Sequence, residues 1–97
     1  MKSYVYILEC SDGTYYTGMT SDLEDRIRKH HAGAFSTCYT FKRRPLTHRF
    51  TREFDNIINA IAFEKQVKGW SSAKKLALIN GDFEELKRLS RGKRRSS

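Results

Sequence analysis

Five side chains able to move protons, bind anions or bind metals occur at separated positions along the chain. Phenols and an imidazole can move protons, a guanidinium fork suits two phosphate oxygens, and a carboxylate can hold a divalent cation. Such groups together could activate a water, stabilise negative charge on a substrate and help a leaving oxygen depart. The five residues are Tyr6, Tyr16, Arg26, His30 and Glu64.

The two tyrosines fall in a predicted β-hairpin. Residues 4–9 and 15–19 are rich in aromatic and β-branched residues, and the Asp12-Gly13 pair between them is a strong turn signal. Alternating side chains of each strand then point to opposite faces of the hairpin. The number of residues in the loop therefore decides whether the two phenols meet.

A two-residue loop would place Tyr6 and Tyr16 on opposite faces, because the paired positions would sum to an odd number. A three-residue loop with Gly13 in the left-handed conformation would place both on one face, with Gly18 opposite Tyr6. In that register we expect the glycine to leave room for a phosphate or a water beside the phenol. The residues alone leave both loops open, and a shared site requires the longer one.

Arg26 and His30 lie on a predicted helix that begins at Ser21 or Asp22 and ends at Gly33. The two residues are four positions apart. They therefore share one face of the helix. The imidazole is then placed to orient a phenol or to share in proton transfer.

Glu64 lies on a second predicted helix, which Asp55 or Asn56 caps and which runs through Lys68. It interrupts an apolar stripe, so we expect it to be buried, and a buried carboxylate is costly unless it is paired or metal-bound. An ion pair with Lys65 or Lys68 is the simpler alternative. The stripe consists of Ile57, Ala60, Ile61 and Val67.

The remaining pattern predicts an α+β fold, with a small three-stranded antiparallel sheet flanked by helices. The sheet combines the N-terminal hairpin with a third strand at residues 46–54. Two more helices follow, one ending at Gly81 and one beginning at Asp82. Strict alternation assigns one face of the third strand to Leu46, His48, Phe50, Arg52 and Phe54.

The chain has 97 residues, which suits one domain at residues 1–90 with a flexible basic tail at 91–97. Its net charge of +8 favours a polyanionic partner such as nucleic acid. The sequence has neither a run of about 18 apolar residues nor a secretory signal pattern, so we expect a cytoplasmic protein without a membrane partner. Its two cysteines lack metal-site spacing and are expected to be reduced.

The ordered spacing of these residues resembles the GIY-YIG nuclease superfamily. The tripeptide YVY at 4–6 stands where the family has Gly-Ile-Tyr, and YTG at 16–18 stands where it has Tyr-Ile-Gly. Arg26 follows the second tripeptide by eight residues, as in the family's helix. The resemblance covers roughly residues 3–80 and is strongest to the small stand-alone members.

The resemblance implies a metal-dependent endonuclease that hydrolyses DNA phosphodiesters in DNA repair or processing. Tyr6 or Tyr16 would help to take a proton from water, with Arg26 and the cation favouring the phenolate. His30 matches a position often occupied by histidine and would support the tyrosine. Glu64 matches a metal-binding glutamate and would hold one Mg²⁺ or Mn²⁺, with water and phosphate in the other positions.

Three positions depart from the family pattern. Tyr4 replaces the first glycine, Thr17 replaces isoleucine, and Met19 stands where some family nucleases carry a lysine. Loss of that lysine and of any attached recognition domain favours an alternative, a nucleic-acid-binding module with little nuclease activity. A subunit that becomes active only with a larger protein partner fits the same features.

A cluster of five cations without an acid falls within residues 42–52, close to Tyr39, Phe41 and Phe50. Such a cluster can be a solvated face, or it can bind nucleic acid through phosphate contacts and stacking. With the family resemblance we expect salt-sensitive DNA binding here. The cations are Lys42, Arg43, Arg44, Arg49 and Arg52.

Overall fold

The computed structural model describes residues 2–95, with side chains for residues 2–90. It confirms the α+β fold, with a three-stranded antiparallel sheet in the order β2-β1-β3. The strands are β1 (Ser3–Glu9), β2 (Tyr15–Thr20) and β3 (Thr47–Phe54). The helices are α1 (Leu23–Ala32), α2 (Ile57–Lys68), α3 (Ser72–Asn80) and α4 (Phe83–Arg95), with a short 3-10 helix at Phe41–Arg43.

The β1–β2 hairpin closes with the three-residue loop. Tyr6 pairs with Gly18, and the Cys10 amide donates to the Thr14 carbonyl at 2.8 Å. Gly13 has a φ of +85°, the left-handed conformation that this loop requires. The register confirms the prediction that both tyrosines of the candidate site share a face.

Strand β3 does not alternate as predicted. Its pairing with β1 shifts between Phe50 and His48, which leaves Arg49 as the extra residue of a β-bulge. Phe50 therefore packs with Ile7 on one side of the sheet, while Leu46 packs in the core on the other side. The assignment of Leu46 and Phe50 to one face is wrong because the bulge reverses the alternation.

The sheet separates two apolar core clusters. On one side, Leu23 and Ile27 of α1 cover the first cluster; on the other, Val67 of α2 and Leu78 of α3 pack on Ile7 of β1. Burial of one such aliphatic side chain contributes about 1.5–3 kcal/mol, so both helix layers hold the sheet in place. The first cluster contains Tyr6, Leu8, Cys10 and Leu46.

Helix α2 buries a stripe that differs from the predicted one. Ala60 and Val67 are fully buried, whereas Ile57 and Ile61 are 56% and 39% exposed. Phe63 lies on the buried side instead, because its ring contacts Phe50 and Phe54 of β3 at centroid distances of 6.4 and 5.4 Å. These aromatic contacts rotate the helix away from the predicted stripe.

Local capping follows the predicted signals. Asp22, Asn56 and Ser71 each accept a hydrogen bond from a backbone amide in the first turn of α1, α2 and α3. Helix α4 continues through Arg95, past the domain boundary predicted at residue 90, and residues 96–97 lie outside the described part. Within residues 2–95, no helix is long and apolar enough to cross a bilayer.

Candidate active site

Tyr6 lies on the central strand β1 and is fully buried. Its phenol lies directly over Gly18, where an added Cβ would overlap the ring carbon and the hydroxyl oxygen. The glycine therefore makes room for the Tyr6 phenol itself. The expectation that it leaves space for a phosphate or water is wrong, because the ring already fills that space.

His30 lies on α1, is 3% exposed, and holds the Tyr6 hydroxyl. Its Nε2 is 2.9 Å from the Tyr6 hydroxyl oxygen, and its Nδ1 is 3.0 Å from Oγ1 of Thr40. The Phe35 ring packs edge-on against the imidazole at a centroid distance of 4.9 Å. Both ring nitrogens thus have partners, and the imidazole is held in one orientation.

Burial and nearby positive charge keep this imidazole neutral. Desolvation, with the charges of Arg26 and His31, lowers the pKa of His30 from 6.5 to about 4. At neutral pH the ring therefore carries one proton, so one nitrogen donates and the other accepts. The hydrogen bond therefore joins a neutral imidazole to a phenol, and the low pKa of His30 opposes full transfer of the phenol proton in the free protein.

The Tyr6 phenol is protonated at neutral pH. Burial raises its pKa to about 12, although the charge and contact of Arg26 act in the opposite direction. Arg26 therefore favours the phenolate, as the family resemblance implies, but desolvation outweighs it. Ionisation of Tyr6 in the free protein thus requires a group that accepts the proton directly.

Tyr16 lies beside this pair on the edge strand β2. Its ring centroid is 6.4 Å from that of Tyr6 and 5.3 Å from that of His30. Burial, together with the contact of its hydroxyl with Cys38, raises its pKa above the ordinary value. Both tyrosines of the predicted site are thus present and both are neutral phenols.

Arg26 and Glu64 act on the Tyr6 phenol from two different helices. The Arg26 guanidinium lies over the Phe35 ring at 5.3 Å, and its charge lowers the pKa of Tyr6. The Glu64 side chain is 17% exposed, and its charge raises the same pKa. The other four predicted residues therefore converge around the Tyr6 phenol.

Glu64 is also the residue best suited to a divalent cation. Its Oε2 accepts a hydrogen bond from Lys68 Nζ at 3.2 Å, so the predicted ion pair is present. Lys68 is 57% exposed and can turn into solvent, which leaves a partly buried carboxylate beside the phenol. Within the described residues no cluster of three metal-binding side chains exists. A cation held by Glu64 would need water and phosphate as its other ligands.

Ion pairs and the fold divide the predicted basic cluster. Arg43 pairs with Asp12 at 2.9 Å and Arg49 pairs with Glu9, so carboxylates partly neutralise both. Arg52 lies over the Phe63 ring on the α2 side of the sheet. The five cations therefore do not form one continuous strip.

Two members of the cluster stay close to the candidate site. Lys42 is exposed in the short 3-10 helix that directly follows Thr40, and Arg44 lies over the Phe41 ring at 4.7 Å. Because Thr40 contacts His30, this helix adjoins the candidate site. Lys42 and Arg44 thus lie in and directly after the short helix that follows Thr40.

Sequence reasoning missed three residues of this site. Thr40, Phe35 and Cys38 lie in the irregular segment between α1 and β3 and surround His30 and Tyr16. No periodicity or motif spacing marks such a segment, since loop residues reach a site through the tertiary path of the chain. Their types alone, a hydroxyl, a ring and a thiol, carried no signal.

Comparison with known proteins agrees with the geometry. The GIY-YIG catalytic domain matches residues 2–77. A UPF0213 protein of Syntrophus aciditrophicus is 41% identical over 88% of this chain and 98% of its own. A UPF0213 protein of Halobacterium salinarum is 47% identical over 78% of this chain and 97% of its own. A solution NMR structure of a UPF0213 protein from Bacillus halodurans is 41% identical, covers 93% of this chain and 98% of its own, and superposes with a TM-score of 0.55. The chain belongs to the GIY-YIG catalytic domain family, a family of nucleases, and is similar to its small UPF0213 members.

Proposed function

We propose that the protein is a metal-dependent endonuclease that hydrolyses DNA phosphodiesters in cytoplasmic DNA repair or processing. This proposal rests on two buried hydrogen bonds, which link the Tyr6 hydroxyl to His30 and His30 to Thr40. The charges of Arg26 and Glu64 both act on the Tyr6 phenol. Any buried tyrosine hydroxyl needs a hydrogen-bond partner, and what supports a proton-transfer role is that this partner is a neutral imidazole with Arg26 and Glu64 beside it.

The proton path follows from the protonation states. With its proton on Nδ1, neutral His30 donates to Thr40 Oγ1 and accepts the Tyr6 O–H at Nε2. Once substrate binding admits the attacking water to the buried phenol, the Tyr6 oxygen takes a proton from this water as its own proton passes to Nε2. The imidazolium and the adjacent Arg26 then both face the developing negative charge.

Arg26 and Glu64 would help to stabilise the negative charge on the phosphoryl oxygens. The guanidinium of Arg26 donates to phosphoryl oxygens, and we propose that Lys42 and Arg44 hold flanking phosphates. Glu64 would hold one Mg²⁺ or Mn²⁺, which supplies positive charge at the phosphoryl oxygens when bound. Lys68, which is exposed, would turn into solvent if Glu64 held the cation.

A second candidate is a nucleic-acid-binding module with little intrinsic cleavage. The complete burial of Tyr6, with its pKa near 12, favours this alternative because incoming water does not reach the phenol in the free protein. A larger protein partner that opens the site would turn the second candidate into the first. Cleavage assays with and without a copurified partner distinguish the two.

The proposal is tested with duplex, single-stranded, flapped and branched DNA in Mg²⁺ or Mn²⁺. We expect metal-dependent cleavage of at least one substrate, with losses of about 100-fold or more in Arg26→Ala and Glu64→Ala. Glu85→Ala removes a carboxylate of a surface ion pair outside the site and is the matched control. Equal cleavage by the wild type and all three variants would identify a contaminating nuclease. Metal-independent binding without cleavage would establish the second candidate.

A further inference from the structure

A groove of about 740 Å³ runs between β3, α2 and α4. It lies on the α2 side of the sheet, whereas the Tyr6 phenol packs in the cluster on the α1 side. It is therefore a separate surface from the candidate active site. We call it the aromatic groove; its main lining residues are Arg52, Phe63, Trp70, Phe83, Leu86 and Lys87.

The groove presents aromatic surface to solvent. Phe83 is 62% exposed at the start of α4, and Trp70 lines the groove after the end of α2. Lys74 lies over the Trp70 ring at 4.6 Å and fixes it from the neighbouring helix. Phe63 supplies the floor through its contacts with β3. Phe63 and Trp70 also pack against the core cluster, so the exposed Phe83 ring and the groove-facing side of Trp70 are the apolar surface that a ligand can contact.

The charges of the groove have one sign. Arg52 and Lys87 are its charged lining residues, and no carboxylate is among the described side chains that line it. Arg52 lies over the Phe54 and Phe63 rings at 5.0 and 5.1 Å and has no carboxylate partner within residues 2–90. Beyond the groove, residues 91–97 add four cations and no acid to the sequence. The complementary ligand is therefore anionic as well as aromatic.

We propose that the aromatic groove binds single-stranded nucleic acid. Unpaired bases offer flat faces that stack on Trp70 and Phe83, while the phosphates between them reach Arg52 and Lys87. A duplex hides its base faces and cannot use the rings. The groove holds the strand without taking part in cleavage, so its binding does not depend on the proposed nuclease chemistry.

The single tryptophan gives a direct measurement of this contact. A thymidine oligonucleotide of about 15 nucleotides is titrated into the protein without divalent cation while Trp70 fluorescence is recorded. We expect saturable quenching, with affinity reduced about five- to a hundredfold in Phe83→Ala, since stacking on a ring is lost. Lys87→Ala should lower the slope of log affinity against log salt by about one. Ile58→Ala and Lys65→Ala, exposed residues outside the groove, are the matched controls and should bind as the wild type does.

The outcomes separate this inference from the proposed nuclease. Quenching that weakens in Phe83→Ala and Lys87→Ala supports it even when no substrate is cleaved. The inference is overturned if fluorescence anisotropy shows oligonucleotide binding while Trp70 fluorescence does not change. It is also overturned if Phe83→Ala and Lys87→Ala bind with the affinity of the wild type. Quenching by a matched duplex or by polyglutamate with the same affinity as the single strand also overturns it, because the groove would then bind polyanions or acidic proteins without contacting base faces.

Discussion

Tyr6 and His30 form a buried hydrogen bond of 2.9 Å that joins the central strand β1 to helix α1. The two side chains are 0% and 3% exposed, so water does not compete with the bond in the free protein. The hairpin register places the phenol, and the α1 helix places the imidazole. The same contact therefore stabilises the fold and prepares the proposed proton transfer.

Acid should destabilise the protein through His30. Its folded pKa of about 4 lies below the ordinary 6.5, so the unfolded chain binds this proton more readily between those values. The contribution of neutral His30 is fully present above pH 6.5 and is lost as the pH falls towards 4, on the order of 3 kcal/mol in all. Urea unfolding across this window should show a shallower loss in His30→Gln. Parallel curves for the two proteins would contradict the assignment.

Thr40 should position His30. Thr40→Val keeps the shape but leaves Nδ1 of a buried imidazole unpaired, which costs about 1–3 kcal/mol. We expect a lower cleavage rate and a displaced pH–rate profile, because the proton is no longer fixed on Nδ1. Thr40→Ser restores the hydroxyl and should restore the profile. A Thr40→Val profile that superposes on the wild type would show that Thr40 only packs.

Gly18 should be intolerant of any side chain. Gly18→Ala drives a Cβ into the Tyr6 phenol, and such overpacking costs about 1–3 kcal/mol. Displacing the phenol also breaks its bond to His30, so cleavage should be lost. The control is Gly69→Ala, where the added Cβ meets its nearest atom at 3.7 Å. Full activity in Gly18→Ala would mean that the phenol position does not matter.

Glu64 should set the cation requirement. Glu64→Gln keeps the side-chain shape and removes the charge, so we expect a lower maximal rate and a higher Mg²⁺ concentration for half-maximal cleavage. Glu85→Gln alters a carboxylate that pairs with Arg88 and should leave both values unchanged. An unchanged Mg²⁺ dependence in Glu64→Gln would place the cation elsewhere.

Much of the site followed from residue types and spacing. Tyr6 and Tyr16 could be assigned to one face once a three-residue loop was required, and Gly13 has the conformation that this loop needs. The predicted helix α1 placed Arg26 and His30 one turn apart. These features are local, so short-range rules of turns and helices determine them.

The features that escaped prediction depend on tertiary packing. The bulge at Arg49 and the rotation of α2 toward Phe63 arise from contacts between elements distant in sequence. The pKa of Tyr6 depends on how much of the phenol the assembled core covers, and Thr40 reaches His30 only through the folded loop. No pattern within one element reports such contacts.

Proton transfer by the Tyr6–His30 pair is tested most directly by the cleavage rate of Tyr6→Phe in saturating Mg²⁺. The substitution removes one oxygen from a buried ring, and Tyr4→Phe, with no assigned site role, removes the same atom elsewhere on β1. We predict a loss of about 100-fold to 10,000-fold for Tyr6→Phe and a wild-type rate for Tyr4→Phe. A wild-type rate in Tyr6→Phe would contradict the proposed site.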